Sequence, residues 1–278
     1  MSGGTGGRVR TAVRFARNAR RRHPDYTPYP RLVLLLDPES ENEVAYELCQ
    51  LLGRAILPVS QVERPGDASR DAGTAFFFNE LVGVPDDGDV VHEYLLTAEA
   101  LTHAPYGEIG LRPSVTEPAG VASDELVLPE FSARWIHLPE IGLAAMPTGG
   151  LHGHAEDRGW RWRTQQVTDG VAARADDIAR IGADPGSAFV LALGVAEDGS
   201  RPLEAVIERL VRDGDEVRIT TELPPGYVGA PVFGVQAHGD GEMALRCLGL
   251  VLPGTGGHPI ATFDHIRTAL AEATAGYR

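Results

Sequence analysis

Residues 225–233 read PGYVGAPVF. Proline pins φ near −65° and glycine supplies backbone that other residues avoid, so PGYVG is a tight turn. It feeds directly into APVFGVQAH, an apolar stretch with the aromatic and β-branched residues of a buried strand.

Outward from this turn, similar units recur. GTAFFFN, HEYLLTAEAL, ARWIHL, AFVLALGV, GDEVRITTEL and MALRCLGLVLPG are strand-like segments separated by turn clusters. That spacing is the signature of a barrel or sandwich. With 33 Gly, 20 Pro and only 6% aromatic residues in 278, the composition favours many turns over a helical bundle. Residues 264–275 (DHIRTALAEATA) put Ile266, Ala269, Leu270 and Ala273 on one helical face before Gly276, so a helix closes the chain. Near the other end, residues 31–37 (RLVLLLD) read as a buried strand. Residues 42–54 read as a helix capped by Ser40 or Asn42, and the polar residues 60–72 as a linker or long loop.

The order of the segments resembles the trypsin-like, or chymotrypsin-fold, serine protease family in its bacterial form. GTAFFF at 73–78 is similar to the family's G-T-G-F strand, and YLLTAEAL at 94–101 to its L-T-A-x-H segment, which puts Ala100 in the histidine's place. WIHLPEIGLA at 135–144 resembles D-x-A-L, with Glu140 in the aspartate's place. PGYVGAPVF resembles P-G-x-S-G-G-P-V-F, with Val228 in the nucleophile's place. The resemblance spans roughly residues 65–275. It implies an all-β chain of two six-stranded β-barrels with a C-terminal helix, preceded by an N-terminal α/β extension. The expected division is 1–62 for the basic arm and extension, 63–155 for the first barrel, and 156–278 for the second barrel and terminal helix, joined near 147–165.

Acyl transfer in that family needs a hydroxyl to attack the carbonyl and an imidazole to carry its proton; valine and alanine do neither. The resemblance therefore implies a disarmed peptidase homologue that binds a polypeptide or regulatory partner. Gly226, Val228 and Gly229 would keep the oxyanion turn, with the Val228 N–H lining an anion-binding hollow. The two rivals are an active hydrolase whose catalytic set includes His92, His103, His152 or His154, and a nucleic-acid binder working through its arginine-rich arm.

That arm follows from charge. Residues 1–31 hold eight Arg against one acid, Asp25, and the rest of the chain holds 17 Arg against 38 acids, within a net charge of −14. Residues 8–22 can be drawn as an amphipathic helix with a thin apolar stripe, or as a cationic tail. Cys49 and Cys247 are far apart and outside any C-x-x-C spacing, so they read as reduced thiols. No cofactor is expected. His152 and His154 (LHGHAED) are the candidate metal ligands by spacing, with solvated loop histidines as the favoured reading. No apolar stretch of signal-peptide or membrane-span length is evident, and the expected location is cytoplasmic. His92 and His103 read as strand-end or loop residues, Ser187 and Ser200 as turn residues. Trp160 and Trp162 read as the packed face of a strand whose other face carries Arg161 and Arg163.

Overall fold

The computed structural model describes residues 33–67, 71–83, 90–120, 124–193, 203–237 and 243–275. The arginine-rich arm, the possible helix at 8–22 and Ser200 lie outside these residues. The chain runs through α1 (Pro38–Leu52), β1 (Ile56–Val62), β2 (Asp71–Gly83), β3 (Val90–Ala98), β4 (Tyr106–Leu111), β5 (Thr116–Glu117), β6 (Asp124–Pro129), β7 (Ile136–Leu138), β8 (Leu143–Pro147), α2 (Gly149–Asp157), β9 (Arg161–Trp162) and β10 (Val167–Thr168). It continues through α3 (Ala175–Ala179), β11 (Gly186–Leu193), β12 (Leu203–Asp213), β13 (Glu216–Ile219), β14 (Pro231–Ala237), β15 (Met243–Val251), β16 (His258–Thr262) and α4 (Phe263–Thr274).

The architecture is mostly β. Strands β11 to β16 close a six-stranded barrel in the order β11-β12-β13-β16-β15-β14, as the segment pattern implies. The other unit, where the first barrel is expected, is not closed into six strands. It is an eight-stranded sheet on the path β6-β4-β1-β2-β3-β8-β7, with β10 pairing in parallel to β2. The sheet curls around its own core, and two aromatic rings sit between its ends. Phe131 and Trp135, at either end of the 3₁₀ turn Ser132–Arg134, pack edge to face at 5.5 Å. The Phe131 ring covers Gly107, where a Cβ would lie 2.3 Å from it, so filling by side chains replaces ladder hydrogen bonds.

The run Phe76-Phe77-Phe78 explains how the two units join. Successive strand residues face opposite sides, and all three rings are buried. Phe77 faces inward with Leu57, Leu95, Ile109 and Trp162, whose indole meets it at 5.8 Å. Phe76 and Phe78 face outward into a second core shared with Phe189, Leu191 and Phe233 of the barrel and Phe263 of α4. The Phe78 and Phe263 rings are 4.9 Å apart. A strand buried on both faces reads as continuous apolar sequence rather than as alternation. Trp160 and Trp162 are buried in the inner core, 5.1 Å apart, with Arg161 exposed between them and paired to Glu117 at 2.8 Å.

Several local expectations are corrected. Residues 33–36 form an extended strand-like arm with one bridge, Val33 to Gln236, and Leu35 is 61% exposed, because the arm lies along the outside of the barrel. The cap of α1 is Asp37, whose carboxylate accepts from the Glu39 and Ser40 amides at 3.1 Å, with Pro38 in the first turn. Residues 60–62 and 71–72 belong to β1 and β2, so the linker or long loop expected over 60–72 is shorter by these strand residues. Strand β1 sits between β2 and β4, so the first sheet begins at Ile56 and a boundary at 63 falls inside it. Ser187 is a buried strand residue, not a turn residue.

Helix α1 packs on the barrel side, against β11 and β12. Its buried Glu41 accepts hydrogen bonds from Ser187 Oγ at 2.5 Å and from Arg209 Nη1 at 2.7 Å. Burial pushes the Glu41 carboxyl up, but the Ser187 and Arg209 bonds and the Arg209 charge prevail and hold it below its ordinary value. A depressed native pKa stabilises fully above the unfolded value and is lost as pH falls through the native one. Glu41→Gln should therefore cost about 1–3 kcal/mol at neutral pH. In urea titrations the gap to the parent should close as pH falls below the carboxylate range. Phe78→Ala should cost about 3–5 kcal/mol through cavity formation in the shared core, read as a lower denaturation midpoint.

Candidate functional site

Pro224 and Pro225 start a 3₁₀ turn, Pro225–Tyr227, that carries Val228 to the junction of the two units. Its amides close on the turn itself: Tyr227 N donates to Pro224 O, Val228 N to Pro225 O at 3.1 Å, and Ala230 N to Tyr227 O at 3.0 Å. Gly229 follows with φ +84° and donates to Val251 O at 2.8 Å. The expected anion-binding hollow is thus corrected. The N–H groups of Val228 and Gly229 face carbonyls of the chain, because the 3₁₀ turn and the barrel edge take them first.

The turn docks on β2 through one residue. Thr74 N donates to Val228 O at 2.8 Å, Thr74 Oγ1 donates to Gly226 O at 2.8 Å, and Thr74 O accepts from Thr97 Oγ1 at 2.7 Å. Close approach requires glycine twice. A Cβ on Gly229 would lie 2.1 Å from Thr74 O and 2.5 Å from Thr97 Oγ1, and one on Gly73 would lie 2.3 Å from Leu101 Cδ1 and 2.6 Å from Val228 O. Gly226 has open space where its Cβ would be. The half-buried Val228 side chain packs against both the inner and the shared core. Beside it, Tyr227 is buried and donates to Glu204 at 3.3 Å; burial first, then the Glu204 charge, pushes its phenol well up.

Ala100 is exposed on the 3₁₀ turn Glu99–Leu101 that ends β3. Gln61 holds this turn: its Nε2 donates to Ala100 O at 2.8 Å, and its Oε1 accepts from the amides of His103 and Ala104. Glu140 is exposed on the 3₁₀ turn Pro139–Ile141, and Glu99 N donates to Gly142 O at 2.9 Å, which ties the two turns together. Ala100, Glu140 and Val228 therefore sit on three turns stitched at one corner of the molecule. Methyl, isopropyl and carboxylate groups are what they offer there.

Among the described residues, three groups of histidines bear on the site. Helix α2 replaces the expected loop at 152–154, and residues two apart on a helix point in different directions, so His152 and His154 do not form a chelating pair. His152 Nε2 instead lies 2.8 Å from Glu93 Oε1, a carboxylate that also accepts from Thr148 Oγ1 and Gln166 Nε2. Glu93, Thr148 and His152, with His92, Tyr94 and Trp135, line a cleft of about 900 Å³ at the end of β3 and β8 remote from Ala100. His258 begins β16 and is buried, bonded to Leu223 N and Leu252 O.

The third group was not legible in the sequence. Glu99, His103 and His137 converge directly beside Ala100. Ser132 Oγ is 3.5 Å from His137 Nε2, a serine–imidazole–carboxylate order in space. Yet His137 Nε2 lies 2.9 Å from the Ser132 carbonyl oxygen, which can only accept, so this nitrogen carries the proton and offers Ser132 no base. Neither thiol is poised for chemistry: burial pushes both Cys49 and Cys247 above the ordinary range. Gly229→Ala, which forces a Cβ into β2 and a side chain into left-handed backbone, should cost at least about 2 kcal/mol, measured by denaturant unfolding. Gly226→Ala should be nearly neutral.

No protein-family model and no curated protein matches the sequence. Among solved structures, the chain is similar to the serine endoprotease from Yersinia pestis, with a TM-score of 0.45 and 10% identity over 84% of this chain and 68% of that one. It is also similar to a human pathogenic astrovirus serine protease, with a TM-score of 0.39 and 14% identity over 74% of this chain and 89% of that one. At this level of similarity, the two-unit β architecture stands on the strand pairings themselves.

Proposed function

We propose that this chain is a trypsin-like protease homologue without peptidase chemistry, which acts by binding a polypeptide or protein partner. The observation that carries the reading is Val228. Its aliphatic side chain is wedged between two cores, its amide is hydrogen bonded to Pro225 O instead of facing solvent, and the family resemblance assigns the nucleophile's place to this residue. Ala100, in the place that the family resemblance gives to the general base, has no titratable group, and Val228 has no nucleophilic atom, so this pair of positions carries neither proton transfer nor acyl-enzyme formation. What persists is a rigid, glycine-dependent junction of two β-units, a scaffold suited to holding an extended chain.

Fluorescein-labelled, unfolded casein is a direct probe. The expected result is saturable binding by fluorescence anisotropy with the casein recovered intact, and no covalent labelling by a fluorophosphonate serine probe. Ala100→Arg, a change at an exposed position, should weaken binding about tenfold or more by blocking the corner, equivalent to at least ~1.4 kcal/mol. Casein cleavage or fluorophosphonate labelling would overturn the reading in favour of an active hydrolase. Loss of binding on deleting residues 1–31, with a steep dependence on salt and preference for polynucleotide, would favour the arginine arm instead.

A further inference from the structure

We propose that Glu99, His103 and His137 form a site for a divalent transition-metal ion, with zinc the ion that two imidazoles and one carboxylate suit best. The site is independent of the polypeptide-binding reading, since it rests on side-chain geometry alone. Two elements contribute: Glu99 and His103 lie four residues apart along the 3₁₀ turn and its exit, and His137 is the middle residue of β7. One ligating atom from each lies within 4.8 Å of the other two.

The distances suit an ion. His103 Nε2 is 2.9 Å and His137 Nδ1 is 3.7 Å from the same Glu99 Oε1. Ligands held about 2.0–2.2 Å from a tetrahedral zinc stand roughly 3.3 Å from one another. The two separations from Glu99 fall on either side of that value, and closing the site calls for small side-chain rotations. The 55% exposure of His103 gives it room to turn, and the rings of His103 and His137 already lie nearly parallel, 11° apart with centroids at 5.2 Å.

His137 is prepared for this role by its other nitrogen. Because Nε2–H donates to Ser132 O, the tautomer is set and Nδ1 presents a lone pair towards Glu99. Orientation of a ligating imidazole by a backbone carbonyl on its far nitrogen is the usual way proteins fix such ligands. Thr102 Oγ1, 3.5 Å from that lone pair, donates its own proton to Glu99 O at 2.7 Å and does not compete for it. Gln61 fixes the His103 amide, so the turn that carries two of the ligands is itself held. Three protein donors leave a fourth tetrahedral position free for water or an incoming oxygen or nitrogen group, beside Ala100.

The test uses the full chain, stripped with chelator and titrated with zinc chloride by isothermal calorimetry, with cobalt(II) absorption as a second readout of geometry. One equivalent should bind, zinc should raise the melting temperature, and cobalt should give the intense visible bands of a low-coordinate site. His103→Ala and Glu99→Gln, both at positions open enough to keep the fold, should weaken zinc at least about tenfold and abolish the thermal shift. His265→Ala, at an exposed position of α4, should change neither. Absence of stoichiometric binding, or binding that survives both His103→Ala and Glu99→Gln, would overturn the proposal.

Discussion

The structure depends on burying one strand from both sides. Strand β2 sends Phe77 into the core of its own sheet and Phe76 and Phe78 into the core shared with the barrel and α4. Burying an aromatic ring on each face contributes on the order of 2–3 kcal/mol per ring before entropy is counted. Three adjacent rings thus fix the sheet, the barrel and their mutual placement together. The corner carrying Ala100, Glu140 and Val228 is where this double-sided strand begins, at Gly73 and Thr74, and its geometry is inherited from the packing behind it.

That inheritance explains why the shape of this corner does not depend on which side chains stand at 100 and 228. Thr74 holds the 225–229 turn by two hydrogen bonds, and Gly73 and Gly229 are small because backbone and Leu101 lie within what would be the Cβ sphere. These are demands of fold closure and do not require a hydroxyl at 228. The same closure engages the Val228 and Gly229 amides, which a recognition role for an anion would need free. Shape and chemistry at this corner are separable, and the convergent Glu99, His103 and His137 lie just outside the part governed by packing.

The barrel was legible because its strands carry strong local signals. AFVLALGV and APVFGVQAH are β-branched or aromatic runs bounded by turn residues, and they are β11 and β14; GTAFFFN gives β2 of the other sheet by the same signal. Strand β12, LEAVIERLVRD, escaped because its mixed charges and half-buried side chains leave no clean alternation. The short β8, LAAMP, is small-residue sequence with little strand propensity of its own. Residues 33–36 misled by composition, since four apolar residues can lie along a barrel's outside as well as within it. At the site, the turn and its glycines could be read from residue type, whereas the places given to Ala100 and Glu140 rest on the family resemblance alone. His137 could not: it is 34 residues from His103, and only the β7–β8 hairpin pairing brings it back.

The path of the chain between the units has a consequence for modularity. Helix α1 is bolted to the barrel through Glu41, Ser187 and Arg209, yet three residues after it the chain enters the middle of the other sheet as β1. Arg112 clamps that crossing by donating to Gly53 O and Ile56 O. The barrel therefore owns a piece of chain from before the sheet as well as everything after it. No single scission yields two intact halves, and any dissection of this molecule into separately folding parts must carry α1 across as a grafted or co-expressed fragment.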